Sequence, residues 1–342
     1  MRIRRPRPLI ALGVVALLLA YVQAAGRLEQ RTIAAQSPTV ATGEAVRHHV
    51  DRDLLMSDVT LLASPAFEGR RTSTPGGVRA RAWIVERFTS IGLEPAGASR
   101  YLEPFSFVHH SVRGLFTPGK PFRAEYPDAA NVIGAISGAS PSATTIVISA
   151  HYDHLGTIDG AMYPGADDNA SGVATLVAIA RAFKSERPTH RLLCVAFDGE
   201  EEGLRGAEAF VASGLLPLDR IALNVNLDML SRSDRNEIFA AGSYQSPWLK
   251  PLLQDVQHRS GVKILFGHDR PVHKAGSVDD WTDQSDHGVF AQHNVPFVYF
   301  GVEDHDDYHR PTDTADKIDR HFFGDVADMI VEAVKTFDEK IH

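Results

Sequence analysis

Thr144-Thr145-Ile146-Val147-Ile148-Ser149-Ala150, followed at once by His151-Tyr152-Asp153-His154, is the stretch that decides the architecture. Its β-branched side chains favour extended backbone, and a short continuous apolar run of this length reads as a strand buried on both faces. A tight polar turn comes next, Pro164-Gly165-Ala166-Asp167-Asp168-Asn169-Ala170-Ser171-Gly172, and opens a helical pattern over Ser171–Lys184. A buried strand, a polar turn and then a helix imply a sheet covered by helices.

The same alternation continues on either side. Strands are predicted at Asn131–Ile136, Thr144–Ala150, Arg191–Phe197, Ile221–Asp228 and Phe297–Phe300. Upstream, Ala80, Trp83, Ile84, Phe88 and Ile91 recur at helical spacing within 77–91, and Gly92 follows as a stop signal. Further helices are predicted at Leu204–Ala212, Trp248–His258, Asp286–Gln292 and His321–Ile341. The expected fold is α/β: a single domain over residues 45–342 with a mostly parallel mixed central sheet flanked by helices on both faces. No internal repeat interrupts it.

Ahead of that domain, Arg2, Arg4, Arg5 and Arg7 precede an apolar run from Leu9 to Val22 and the small residues Ala24, Ala25 and Gly26. A basic start, a short apolar centre and a small-residue end read as a signal peptide over residues 1–24, with an uncleaved signal anchor as the competing reading. Residues 25–44 are small and polar and read as a linker. The expected location is therefore outside the cytoplasm, periplasmic or secreted, or membrane-anchored if the signal is retained.

Composition limits the function classes. Hydrophobic residues make up 44% and charged residues 23%, as in an ordinary globular protein. The net charge of −8 argues against nucleic acid as a partner, and removing the four N-terminal arginines leaves the remainder more acidic still. Cys194 is the only cysteine, so intrachain disulfides and multi-thiolate metal sites are excluded. Within its apolar run it reads as a buried structural thiol.

The chemistry gathers at strand ends. His151 and Asp153 follow one predicted strand, Glu200-Glu201 follows the next, and Asp228 closes a third. In open α/β sheets, ligands bind beyond the carboxyl ends of the strands. Asp167 in the polar turn and His309 in Tyr308-His309-Arg310-Pro311 add two more metal-competent groups. Each has an ordinary reading alone: a surface histidine, a helix cap at Asp167-Asp168-Asn169, a solvated acidic turn at 200–202, or a core ion pair at Asp228. Their joint placement at one rim argues for a catalytic centre of imidazoles and carboxylates, suited to zinc, cobalt or manganese. The mix fits two ions sharing a carboxylate, about 3.5–4 Å apart.

At these residues the chain resembles the zinc exopeptidase family of the secreted bacterial leucyl aminopeptidases, to which glutamate carboxypeptidase and glutaminyl cyclase also belong. The matching segments are Ala150–His154, Gly165–Gly172, Glu200–Gly206, Asn226–Met229 and Tyr308–Thr314, with Leu62–Ser64 and Glu68–Gly77 upstream. The resemblance implies two zinc ions, with Asp167 bridging them, His151 and Asp228 completing one site, and Glu201 and His309 the other. It implies Glu200 as general base toward a hydroxide shared by the two ions, and Asp153 as the carboxylate that orients His151. It further implies a cis peptide between Asp167 and Asp168. No long insertion separates the first helix from Asn131, so the protease-associated domain of some relatives is expected to be absent. Ser285-Asp286-His287 matches a segment near the family's substrate pocket, though a helix cap at Asp286 is an equal reading.

The expected activity is removal of N-terminal residues from peptides. The acidic run Glu303, Asp304, Asp306 and Asp307 suits a free ammonium, whereas Arg205, Arg232 and Arg310 would serve a carboxypeptidase or dipeptidase. Glutaminyl cyclisation with one zinc and a non-catalytic ectodomain are the remaining alternatives.

Overall fold

The computed structural model describes residues 47–110, 123–140, 144–270 and 280–341. The expected signal and linker lie outside these residues. The strands are β1 (Glu94–Pro95), β2 (Leu102–His110), β3 (Arg123–Ile136), β4 (Thr145–His151), β5 (Gly156–Ile158), β6 (Ala161–Tyr163), β7 (Arg191–Phe197), β8 (Ile221–Leu227), β9 (Glu237–Ala241), β10 (Lys263–Leu265) and β11 (Phe297–Gly301). The helices are α1 (Arg52–Leu62), α2 (Pro75–Ile91), α3 (Gly172–Phe183), α4 (Arg205–Ser213), α5 (Leu249–Gln257), α6 (His287–Gln292) and α7 (Arg320–Lys340).

The main sheet runs in the order β1-β3-β7-β4-β8-β11-β9-β10, with β2 also pairing β3, while β5 and β6 form a separate hairpin. Its four central strands, β7, β4, β8 and β11, are parallel. Antiparallel pairing lies toward the edges, where β3 meets β1, β2 and β7 and where β9 meets β11. All seven residues of β4 are buried, as its unbroken apolar run requires.

Alternate residues serve opposite faces. Ile146, Ile148 and Ala150 of β4, with Leu192, Cys194 and Ala196 of β7, join a core built with α1, α2, α3, α5 and α7. Val147, Leu193, Val195 and Phe197 join a second core with Ala207 and Phe210 of α4 and Val289 and Phe290 of α6. Thus β4 is followed by a helix on one face and β7 by a helix on the other. The chain leaves these neighbouring strands in opposite directions and opens a crevice at their carboxyl ends.

Register places that crevice's rim. His151 lies opposite Phe197 on β7, Ser149 lies opposite Asn226 on β8, and Phe300 of β11 lies opposite Leu227. Asp228 therefore emerges level with His151. Helix ends follow local rules: Thr74 caps α2 through Gly77 N–H, with Pro75 in the first turn and Gly92 at φ 87° closing it. Cys194 is buried, and burial pushes its thiol up to about 12.

The predicted central strands and helices occur within a few residues of their expected bounds. Missing from the expectation are α1, the strand β2, and the short strands β1, β5, β6, β9 and β10. Most of these are too short to carry a hydrophobic period, and β2 alternates apolar and polar residues with histidines at its end.

Candidate metal centre

Two groups of ligand-type atoms converge at the rim. His151, Asp168 and Asp228 form one, and His154, Asp168, Glu201 and His309 form the other. In the first, His151 Nε2 lies 3.3 Å from Asp168 Oδ1 and 3.3 Å from Asp228 Oδ1. In the second, His309 Nε2 lies 3.1 Å from Asp168 Oδ2 and 3.3 Å from Glu201 Oε2. Zinc bonds of about 2.0–2.1 Å in a tetrahedron separate neighbouring ligands by about 3.3 Å. The spacing and the imidazole–carboxylate donor set both fit such an ion. Asp168 reaches both groups, one oxygen to each.

Four of the five expected ligands thus come together: His151, Glu201, Asp228 and His309. The expectation for Asp167 is corrected, because its neighbour Asp168 occupies the shared position. Asp167 turns away: its Oδ1 accepts from Ser231 N at 2.7 Å and Ser231 Oγ at 2.6 Å, and its Oδ2 lies 3.2 Å from His305 Nε2. The cis peptide shifts by the same single residue, to Asp168–Asn169.

The turn that presents Asp168 is stitched on several sides. Asp313 Oδ2 accepts from the N–H groups of both Asp167 and Asp168, joining this turn to the His309 segment. Asn169 Nδ2 donates to Leu227 O, and Ser171 Oγ accepts from Leu230 N, tying the turn to the end of β8. Gly172 lets these segments approach, since a Cβ there would lie 2.3 Å from Asn169 Oδ1 and 2.6 Å from Leu227 O. Arg70 is wholly buried and clamps the base, donating to Tyr152 O at 3.0 Å, Leu62 O at 2.8 Å, Pro164 O at 2.6 Å and Gly165 O at 2.8 Å.

Asp153 has a different geometry from the expected one. His151 Nδ1 meets the main-chain carbonyl of Asp153 at 3.1 Å, while the Asp153 carboxylate stands 3.8 Å away. That carboxylate instead accepts from Glu200 N at 3.1 Å and Glu201 N at 3.3 Å. It therefore orients the acidic turn after β7, and the backbone of the same residue orients His151. Asp286 is not a helix cap, since its side chain makes no cap bond; both its oxygens are buried and unpartnered.

A cleft of ≈ 230 Å³ opens over the two groups, lined by Glu200, Asp168, His151 and Asp228 on its floor. Met229, Trp281, Tyr299, Val302 and Tyr308 form apolar and aromatic walls, and Glu303 and Asp304 form an acidic margin. Trp281 and Tyr299 pack edge to face at 5.7 Å, and Tyr308 stacks on His309 at 4.0 Å.

Electrostatics separates the two adjacent glutamates. Burial holds the Glu200 carboxyl well above the usual range; His151 opposes this, while Glu201, Asp286 and Asp228 add to it. Burial and Asp168 also push Glu201 up, yet His154 and His309 outweigh them and leave it at about 2. Of the two neighbours, Glu200 therefore has the higher proton affinity, and Glu201 stays ionised beside two imidazoles.

Sequence reasoning gave no role to His154, Asp313 or Arg70. All three sit inside the quoted motifs, so residue type and position were visible while partners were not.

Residues 131–334 match the model of peptidase family M28. The uncharacterized protein YfbL of Escherichia coli (strain K12) is 30% identical over 213 residues, covering 54% of this chain and 65% of YfbL. A probable zinc metalloprotease of Pyrenophora teres f. teres (strain 0-1) is 28% identical over 198 residues, covering 56% of this chain and 41% of that protein. The chain therefore spans less than two thirds of the length of either relative. Among solved structures, BSAP, a zinc aminopeptidase from Bacillus subtilis, superposes with a TM-score of 0.65 at 16% identity, over 84% of this chain and 95% of that one. At that identity the likeness speaks for the fold.

Proposed function

Because the chain belongs to peptidase family M28, we propose that it is a two-zinc exopeptidase that removes N-terminal residues from peptides. The observation that carries this reading is the acidic margin of the cleft. Among the described residues its lining includes Glu303 and Asp304 beside the ligand groups and contains no lysine or arginine. A substrate ammonium finds carboxylates at that margin, whereas no described lysine or arginine lines it to receive a terminal carboxylate. Of the arginines considered for a carboxypeptidase, Arg205 pairs with Glu208 and Arg232 with Asp307.

His151, Asp168 and Asp228 would hold one ion, and Asp168, Glu201 and His309 the other. Bound zinc supplies Lewis acidity, lowering the pKa of water to about 7 and polarising the scissile carbonyl. Glu200 takes the proton from the attacking water and returns it to the leaving amine, one group acting as base and then acid. Its raised proton affinity suits both steps near neutral pH. Asp153 fixes where that carboxylate points by holding the Glu200 and Glu201 N–H groups. The Trp281, Tyr299 and Met229 walls favour an apolar first side chain.

The deciding experiment is a panel of aminoacyl anilides and N- or C-blocked dipeptides, assayed with and without chelator. Hydrolysis of free-amine substrates, lost on blocking the amine and on chelation, is the expected result. Cleavage that instead needs a free carboxylate would make the enzyme a carboxypeptidase. Pyroglutamate formation from an N-terminal glutamine peptide with one zinc per chain would make it a cyclase. Activity indifferent to chelator would overturn the scheme.

We also assign the enzyme to the exterior of the cytoplasm, on the strength of the basic and apolar N-terminal pattern. No described helix is long and apolar enough to cross a membrane. N-terminal sequencing of the mature protein tests whether residues 1–24 are removed.

A further inference from the structure

We propose that His154 is a fourth protein ligand in the Asp168–Glu201–His309 group, closing that site and leaving the His151–Asp168–Asp228 site with the open position. The inference rests on the two-ion reading above and assigns one more residue to it.

Three observations carry it. His154 is wholly buried, and neither of its ring nitrogens has a hydrogen-bond partner. A buried imidazole with both nitrogens unsatisfied is costly, and such groups call for an explanation. Next, His154 Nδ1 stands 2.6 Å from Glu201 Oε1 and 3.6 Å from Asp168 Oδ2. The Glu201 oxygen is itself buried and unpartnered, so the short approach lacks the alignment of a hydrogen bond. An imidazole nitrogen and a carboxylate oxygen brought this close without that alignment point at a shared third centre rather than at one another. Finally, the His154 ring is held in place. A Cβ on Gly165 would lie 2.6 Å from His154 Cγ and Cδ2, so glycine at that position makes room for the ring. The ring also meets His309 edge to face, at 5.7 Å between centroids.

Zinc sites with four protein ligands are closed, whereas catalytic sites keep three and leave one position free. On that rule the two sites differ in task. The four-ligand site would take the first ion and would fix Asp168, Glu201 and His309, and the three-ligand site beside Glu200 would keep a position free.

The test is a titration of the metal-free, full-length protein with zinc, read by X-ray absorption. At one equivalent the wild type should show two imidazoles per zinc, contributed by His154 and His309. In His154→Ala and the milder His154→Gln the same spectrum should show one imidazole. Affinity for the first equivalent should weaken by about 100-fold or more, beyond what loss of a supporting hydrogen bond usually causes. A wild-type spectrum with one imidazole at the first equivalent overturns the inference even if the variants fold poorly. So do variants that match the wild type in both spectrum and first affinity. A wild-type protein that binds no zinc overturns the proposed function instead.

Discussion

The two ligand groups at the rim share Asp168 and are built from different parts of the fold. His151 ends β4, and Asp228 directly follows β8, its hydrogen-bonded neighbour. Sheet register alone brings these two together. Glu201 and His309 instead come from loops, with the His309 side chain 37% exposed and its backbone in the left-handed region at φ 52°. A few residues on, Asp313 joins this loop to the Asp167–Asp168 turn. The strand-borne group is fixed by the core, and the loop-borne group is fixed by polar stitching. Damage to the two should therefore look different.

The largest effect is expected where the groups meet. Asp168→Asn should release both ions and cut activity by at least about 10⁴-fold, the scale of losing a component on which all others depend. Equilibrium dialysis that still finds two tightly held ions would break the comparison at its centre. Next comes Glu200→Gln, which should lower kcat by about 10²–10⁴-fold while both ions stay bound. Loss of metal from that variant would mean the carboxylate is a ligand and the division of labour with Glu201 is wrong.

A smaller effect separates the adjacent aspartates. Asp167→Asn weakens the bonds to Ser231 and His305, so it should cost about 1–3 kcal/mol of stability and leave metal stoichiometry unchanged. Denaturant unfolding alongside metal analysis checks both halves. Asp153→Asn sharpens the same contrast. It should disturb Glu200 more than His151, appearing as a fall in kcat of about 10-fold or more with the His151–Asp228 site still filled.

The last effect is absent at neutral pH and grows only on acidification. Burial lowers His287 to about 4, against opposing contributions from the Trp281 carbonyl and Asp280. An unfolded histidine titrates near ~6.5, so between these values the unfolded chain takes up a proton that the folded chain refuses. Stability from this residue is full above ~6.5 and is lost as the pH falls toward 4, by at most about 1.4 kcal/mol per pH unit. The stability advantage of wild type over His287→Asn should shrink accordingly on acidification, measured by urea unfolding. A gap that stays constant with pH would show that His287 is not held neutral.

The central strands and every helix from α2 onward were legible in the chain, because a buried parallel strand needs an unbroken apolar run and a helix needs a period near 3.6. Also legible were the donor residues beyond those strands, since an open sheet offers its ligand crevice there. The short strands β1, β5, β6, β9 and β10 were not, having too few residues to carry a period, and neither was the nine-residue β2. Nor was the choice between Asp167 and Asp168, for two neighbouring carboxylates in one turn look alike in sequence.

What the amino-acid sequence determined by itself was the central α/β layering and the rim of the sheet at which four of the five expected side chains, His151, Glu201, Asp228 and His309, come together. Tertiary structure alone decided which aspartate is shared, what the Asp153 carboxylate holds and where His154 points. The reason is physical. Hydrophobic periodicity is a local property of the chain, whereas the direction of a polar side chain depends on hydrogen-bond partners that lie far away in sequence. Asp313 reaches back to Asp167 and Asp168, and Ser231 captures Asp167.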